Sequence, residues 1–250
     1  MLKVEAVSYA YDNHDVLADI NLSVEKGQTV AILGRSGVGK TTLFNLIAGH
    51  LSLQTGHISI EGQTAIKGKV SYMLQKDMLL PHKSVVENIM LPLLLQHVPK
   101  KVAYQQSVEL LKQFALEKWT DYYPSALSGG MRQRIAFLRT ATFKRDWVLL
   151  DEAFSALDAV TRREMHRWFI TYRQVMNWST LLITHDVEEA LLLADKVYVL
   201  NGQPGRITTE LTVTGERDKF EEVVFQPEFL EQKRILLQAL DNNVYTKSPV

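Results

Sequence analysis

Two periodicities divide this chain. Residues 2–8 and 16–24 alternate apolar with polar positions, and "EKG" closes the second run; they predict an antiparallel strand layer at the N-terminus. "TVAIL" then breaks the alternation with a continuous apolar run of the length expected for a buried strand. It leads through a glycine-rich loop into "KTTLFNLIAG", whose apolar residues recur at helical spacing and whose Gly49 supplies a stop. "VSYML" at 70–74 predicts another strand. From about 84 to 145 helical spacing takes over, in "SVVENIMLPLLL", in "KKVAYQQSVELLKQFAL" and in the run that follows Ser128. Strand patterns return in "WVLL" at 147–150, "TLLIT" at 180–184 and "KVYVL" at 196–200, with helices between them. After residue 205 come a strand-like "RITTELTV" and two short helical patterns, "RDKFEEVV" and "PEFLEQKRILLQAL".

Strands that alternate with helices imply a parallel sheet, so the expected class is α/β with a helical insertion. The boundaries that follow are a core with its β layer at 1–75 and 146–205, a helical subdomain at 76–145 and a short extension at 206–250, all in one domain. No repeat, low-complexity segment or linker interrupts the pattern.

Composition narrows the function without choosing it. With 46% apolar residues among 250, the chain can bury a sizeable core. Lys plus Arg and Asp plus Glu number 28 each, so no net field draws nucleic acid or anionic lipid, and no nucleic-acid partner is expected. The absence of cysteine excludes disulfides and thiolate metal sites. "MLKVEAVSYAYDN" lacks the apolar core of a signal peptide. The greasiest stretch, "IMLPLLLQHV", is too short to span a bilayer, so a membrane role would have to come through a partner.

The strongest chemical signal is "GRSGVGKTT" at 34–42, in which Gly34, Gly39, Lys40 and Thr41 match the phosphate-binding pattern G-x-x-x-x-G-K-[ST] between a strand and a helix. In that reading the backbone N–H groups of Gly34, Arg35, Ser36, Gly37, Val38, Gly39 and Thr42 cradle phosphates. Lys40 pairs with the β and γ phosphates and the Thr41 hydroxyl ligates Mg²⁺. Such a loop needs a metal-positioning carboxylate and a group that activates water. "WVLLDE" supplies both, with Asp151 delivered by an apolar strand to hold Mg²⁺ and Glu152 beside it to take a proton from, or orient, the attacking water.

A second candidate phosphate site is "LSGGMRQR" at 127–134. Ser128 reads as a helix N-cap, and the N–H groups of Gly129 and Gly130 give a positive helix end free of side chains. Arg132, Arg134 and Arg139 beyond it read as a solvated helix face.

The glycine loop, "LSGGMRQR", "WVLLDE", "SALD" and "LLITH" resemble, in order and spacing, the ATP-binding-cassette ATPases, and the resemblance covers about residues 1–205. That family has a P-loop NTPase fold, with a RecA-like parallel-sheet core, an N-terminal antiparallel β layer and an inserted α-helical subdomain. The resemblance implies ATP and Mg²⁺ as cofactors and further roles for particular residues. Tyr11 fits the adenine-stacking aromatic, with Tyr9 as the competing position. Gln75 falls at the Q-loop glutamine, which contacts Mg²⁺ and water, and His185 at the switch histidine, which contacts the γ-phosphate. Asp158 of "SALD" falls in the loop that crosses to a partner subunit.

The resemblance also answers why one chain carries two phosphate signals. In the family two copies pack head to tail, and Ser128, Gly129 and Gly130 of each would act on the ATP held by the other. "LLLDEAFSALDAVTR" resembles bacterial importer ATPases for nitrate, sulfonates, taurine and the pyrimidine precursor of thiamine, and "MLLPHKSV" favours the last. Met131 and Ala153 depart from the common glutamine and proline. The implied partners are a second copy, integral permease subunits and a periplasmic or lipoprotein solute-binding protein, with the chain peripheral on the cytoplasmic face of the cell membrane. The alternatives are a soluble ATPase of the same superfamily and a non-catalytic nucleotide-binding module. The second would have lost Glu152 or His185, and both are present.

Overall fold

In the computed structural model, which describes residues 1–215 and 222–241, the N-terminal alternation forms β1 (Leu2–Tyr11) and β2 (His14–Val24). They pair antiparallel, and β4 (His57–Ile60) joins the free edge of β1, giving the order β2-β1-β4. The sequence pattern had not marked β4, whose four residues are too few to show a period.

The main sheet has six strands in the order β5-β6-β7-β3-β8-β9: β3 (Thr29–Leu33), β5 (Val70–Met73), β6 (Trp147–Asp151), β7 (Ser179–Thr184), β8 (Lys196–Asn201) and β9 (Arg206–Thr212). The first five in that order run parallel and β9 is antiparallel to β8. Every residue of β3, β6 and β7 is buried, which is why these strands read as apolar runs rather than alternations. The boundary expected at 205 needs correction, because β9 is the edge of this sheet and not part of a separate extension.

Alternation within the strands divides the core. Val30, Ile32, Leu149, Leu181 and Ile183 face a cluster shared with the small antiparallel sheet and with α1 (Lys40–Ile47). Val148, Leu150 and Leu182 face the other way, against α4 (Gly129–Ala141) and α5 (Ala159–Val175). Ala31, Leu33, Val197 and Val199 are covered by α6 (Val187–Leu193) and α7 (Pro227–Asp241).

The helical insertion is built by α2 (Val85–Leu95), α3 (Lys100–Gln113) and α4. Ser84 starts α2 with a capping box. The Glu87 N–H donates to Ser84 Oγ at 3.4 Å, and the Ser84 N–H donates to Glu87 Oε2 at 2.9 Å. The fully buried Asn88 fastens the preceding turn: it accepts from the Leu80 N–H at 2.7 Å and donates to the carbonyls of Leu80, Lys83 and Ser84. Of the two C-terminal helical patterns, "PEFLEQKRILLQAL" forms α7. "RDKFEEVV" lies mostly outside the described residues and ends in a 3-10 turn at Val223–Phe225. Among the described residues, no helix is long and apolar enough to cross a membrane.

Candidate active site

Parallel pairing brings four strand ends to one edge. Leu33 aligns with Thr184, Asp151 with Ile183, and Met73 with Leu150, so Gly34, Gln75, Glu152 and His185 emerge together at the carboxyl end of the sheet. Open α/β sheets bind ligands at this end. A cleft of about 270 Å³ lies there, lined by Val16, Ser36, Gly37, Gly39, Lys40, Thr41, Thr42, Gln75, Asp151 and Glu152.

The glycine loop fits its tight course for steric reasons. A Cβ at Gly34 would stand 2.5 Å from the Leu200 carbonyl oxygen. At Gly39, φ is +105° and a Cβ would stand 2.7 Å from Leu17 Cδ2. Lys40 folds back under the loop, and its Nζ donates to the carbonyls of Gly34 at 2.8 Å and Arg35 at 2.9 Å. Burial pushes the Lys40 ammonium below its usual range, opposed chiefly by the Glu152 carboxylate. The Arg35 side chain turns away, pairing with Asp241 at the end of α7 at 2.9 Å, so Arg35 offers the cleft only its backbone.

Glu152 is where the expected residues meet. Gln75 Nε2 donates to Glu152 Oε2 at 3.2 Å, His185 Nδ1 lies 3.4 Å from the same oxygen, and Lys40 Nζ lies 3.7 Å from Oε1. Its backbone is held at φ +44° with the N–H donating to the Ile183 carbonyl at 3.0 Å. A left-handed non-glycine residue costs about 1 to 3 kcal/mol. Asp151 is buried, which raises its carboxyl pKa. Hydrogen bonds from Tyr72 and Thr41 oppose that rise.

The site fits ATP with Mg²⁺. The cleft offers a buried cation, a glycine loop running into a helix start, and hard oxygen donors from Thr41, Asp151 and Gln75. Of the loop N–H groups expected to cradle phosphate, those of Gly34 and Val38 instead donate within the chain, to the Thr184 and Arg35 carbonyls at 3.4 Å each. Among the described residues, no group of three or more His, Cys, Asp and Glu side chains could hold a metal ion by itself. Mg²⁺ suits such a place because it takes one or two protein ligands and completes its shell with phosphate and water.

The second phosphate signal lies elsewhere. Ser128 caps α4, accepting from the Met131 N–H at 3.3 Å, as expected. Ser128 and Gly129 are exposed, but none of Ser128, Gly129 and Gly130 lines the cleft around Lys40. Gly130 is buried, and a Cβ there would stand 2.2 Å from Thr161 Cγ2. Its lack of a side chain therefore serves packing against α5 within the chain, not only a clear approach for a ligand. Asp158 caps α5, accepting from the N–H groups of Val160 and Thr161 at 3.1 Å each. A hydrogen bond from the Thr161 hydroxyl, with these two backbone bonds, holds its carboxyl below the usual range.

The expectation of a solvated arginine face fails at two positions. Arg132 Nε donates to Asp77 Oδ2 at 3.0 Å, and Arg139 donates to the carbonyls of Met78 and Asp77 at 2.6 Å each. Met78 sits at φ +47°, within the segment these arginines grip just beyond Gln75. Arg134 pairs with Glu164 of α5 at 2.9 Å. Tyr11 is exposed, with its ring packed edge-on against the buried Tyr9 at 5.0 Å. Sequence reasoning missed Tyr72, whose hydroxyl donates to Asp151 Oδ2 at 3.0 Å.

The sequence model of the family described as ABC transporter matches residues 17–155, more than half of the chain. The chain belongs to the ABC transporter family. It is 40% identical to the formylaminopyrimidine import ATP-binding protein ThiZ of Halalkalibacterium halodurans, over 95% of this chain and 93% of that one. It is 36% identical to the taurine import ATP-binding protein TauB of Escherichia coli, over 95% and 96%. Among solved structures, the dimeric post-hydrolysis state of the ATP-binding cassette MJ0796 bound to ADP and Pi superposes with a TM-score of 0.74. Identity there is 25%, covering 86% of this chain and all of that one. This ABC protein is an ATPase that works with ATP and Mg²⁺.

Proposed function

We propose that this chain is the ATP-hydrolysing subunit of a bacterial importer, working as a head-to-tail pair beneath a permease. One observation carries the reading: the Ser128 helix end is built and exposed, yet stands outside the cleft that holds Lys40, Asp151 and Glu152 of the same chain. A second copy turned head to tail gives that helix end a phosphate to meet. The chain then sits peripherally on the cytoplasmic face of the cell membrane, with a solute-binding protein completing the complex. The 40% identity to ThiZ makes a pyrimidine precursor of thiamine the leading solute, ahead of taurine, sulfonates and nitrate.

Bound ATP with Mg²⁺ supplies the transferable phosphoryl group and neutralises its charge. The Lys40 ammonium and the loop N–H groups bind and orient the phosphates. Glu152 Oε2, fixed by Gln75 and His185, is placed to accept the proton of an attacking water. Thr41, Asp151 and Gln75 would hold the metal, and Tyr11 would give the adenine a ring face.

Complementation tests the pairing. Lys40→Ala disables the loop and Ser128→Arg fills the space for the partner's phosphate, so each homodimer is nearly inactive. In a mixed dimer, the good loop of the Ser128→Arg chain meets the good helix end of the Lys40→Ala chain at one site, and activity partly returns. A mixture that stays at the parental level, while a wild-type and Lys40→Ala mixture is active, sinks the head-to-tail reading. Mass spectrometry of the solute retained by the purified complex identifies the cargo; taurine in place of a pyrimidine would overturn the solute assignment.

A further inference from the structure

We propose that Tyr72 is a positioning residue of the magnesium site, its hydroxyl holding one oxygen of Asp151 so that the other is committed to the metal's shell. The proposal rests on the assignment of Asp151 to Mg²⁺.

The geometry comes from register. Tyr72 on β5 pairs with Leu149 on β6, and Asp151 lies two residues beyond Leu149 on the same face of the sheet. A short side chain on β5 would not span that diagonal, and a tyrosine does. Its hydroxyl donates to Asp151 Oδ2 at 3.0 Å. The ring is held from two sides. Phe44 of α1 meets it edge-on at 5.9 Å, and His50 stacks on it at 5.8 Å with an angle of 25°. Phe44 is itself fully buried and lies three residues beyond Thr41 in the helix that starts at the glycine loop. The ring therefore ties the helix that carries Thr41 to the strand that carries Asp151.

The chemistry gives this arrangement a purpose. A buried carboxylate with no fixed donor is free to rotate and present either oxygen, or both, to a cation. A donor on Oδ2 removes that freedom, and Thr41 supplies a second hydrogen bond to the same carboxylate. Partners of this kind orient metal-binding carboxylates, and their loss costs about 10- to 100-fold in metal affinity. Because Tyr72 does not line the cleft and reaches it only through Asp151, its effect is confined to the metal-dependent part of nucleotide binding.

The test uses the full chain and a fluorescent, non-hydrolysable ATP analogue, titrated in EDTA and again with increasing Mg²⁺. Tyr72→Phe keeps the ring between Phe44 and His50 and removes only the hydroxyl. The half-saturating Mg²⁺ concentration is expected to rise about 10-fold or more, with affinity in EDTA within about twofold of wild type. Asp151→Asn is the parallel arm, expected to raise the Mg²⁺ requirement at least as far. An unchanged requirement in Tyr72→Phe, with a raised one in Asp151→Asn, overturns the role of Tyr72 and leaves the metal assignment standing. No change in Asp151→Asn removes the assignment and the proposal together. Equal weakening of Tyr72→Phe in EDTA and in Mg²⁺ shows a packing role alone and also overturns it.

Discussion

Gly129 and Gly130 are adjacent in the same motif, and alanine is expected to affect them in opposite ways. At Gly130 the new Cβ would stand 2.2 Å from Thr161 Cγ2, where ordinary contact begins at 3.4 Å. The helices α4 and α5 must part by about 1.2 Å or Thr161 must leave its rotamer. Rotation also carries the Thr161 hydroxyl off the Asp158 carboxylate, so neither route is free. Overpacking of this kind costs about 1 to 3 kcal/mol, and the better helix propensity of alanine returns up to about 1 kcal/mol. The expected result for Gly130→Ala is a net loss of about 1 to 2 kcal/mol, read as a lower urea midpoint with an unchanged slope. At Gly129 the nearest atom to a new Cβ is an Arg132 guanidinium nitrogen at 3.9 Å, so Gly129→Ala is expected to be neutral or slightly stabilising. Thr161→Ser completes the cycle: it deletes the clashing methyl, and the nearest Thr161 atoms left stand at 3.6 and 3.8 Å. Added to Gly130→Ala, it should recover most of the loss, giving a coupling of about 1 kcal/mol or more. Equal midpoints for the two alanine variants, or no recovery in the double variant, would refute the account.

Glu152→Gln should keep nucleotide binding and slow turnover by about 10² or more, measured in the assembled complex; near-wild-type turnover there removes Glu152 as the base. Tyr11→Ala should weaken ATP binding by about 1 to 3 kcal/mol in a fluorescence titration, the worth of a base stacked on an aromatic ring. A loss seen only in Tyr9→Ala would move the contact. Lys83→Glu, in the loop fastened by Asn88, should impair transport by reconstituted complex more than the ATPase of the isolated subunit; equal loss of both would place the defect in folding or catalysis.

What could be read from the sequence was whatever is contiguous. The glycine loop, the strand that ends in Asp151 and the Ser128 cap are each written within a few neighbouring residues, and the structure contains them where they were expected. Tyr72 was invisible because its meaning lies in the register between β5 and β6, two segments more than seventy residues apart. Arg132 and Arg139 looked solvated because helical spacing shows which face a residue occupies but not what a distant loop brings to it. Their partners Asp77 and Met78 belong to such a loop. The strand β9 was placed outside the core because its alternating exposure is that of an edge, which in sequence looks the same as a separate hairpin.

The left-handed backbone at Glu152 sets stability against activity at a single position. Glycine, or to a lesser degree asparagine, would relax that peptide at no steric cost, and either would strip the carboxylate that Gln75, His185 and Lys40 surround. A lineage selected only for a longer-lived fold would therefore lose glutamate here, and one that must turn over ATP keeps it at a standing thermodynamic disadvantage. Idle descendants of such a gene should be recognisable by a relaxed residue at 152 before any other part of the site decays.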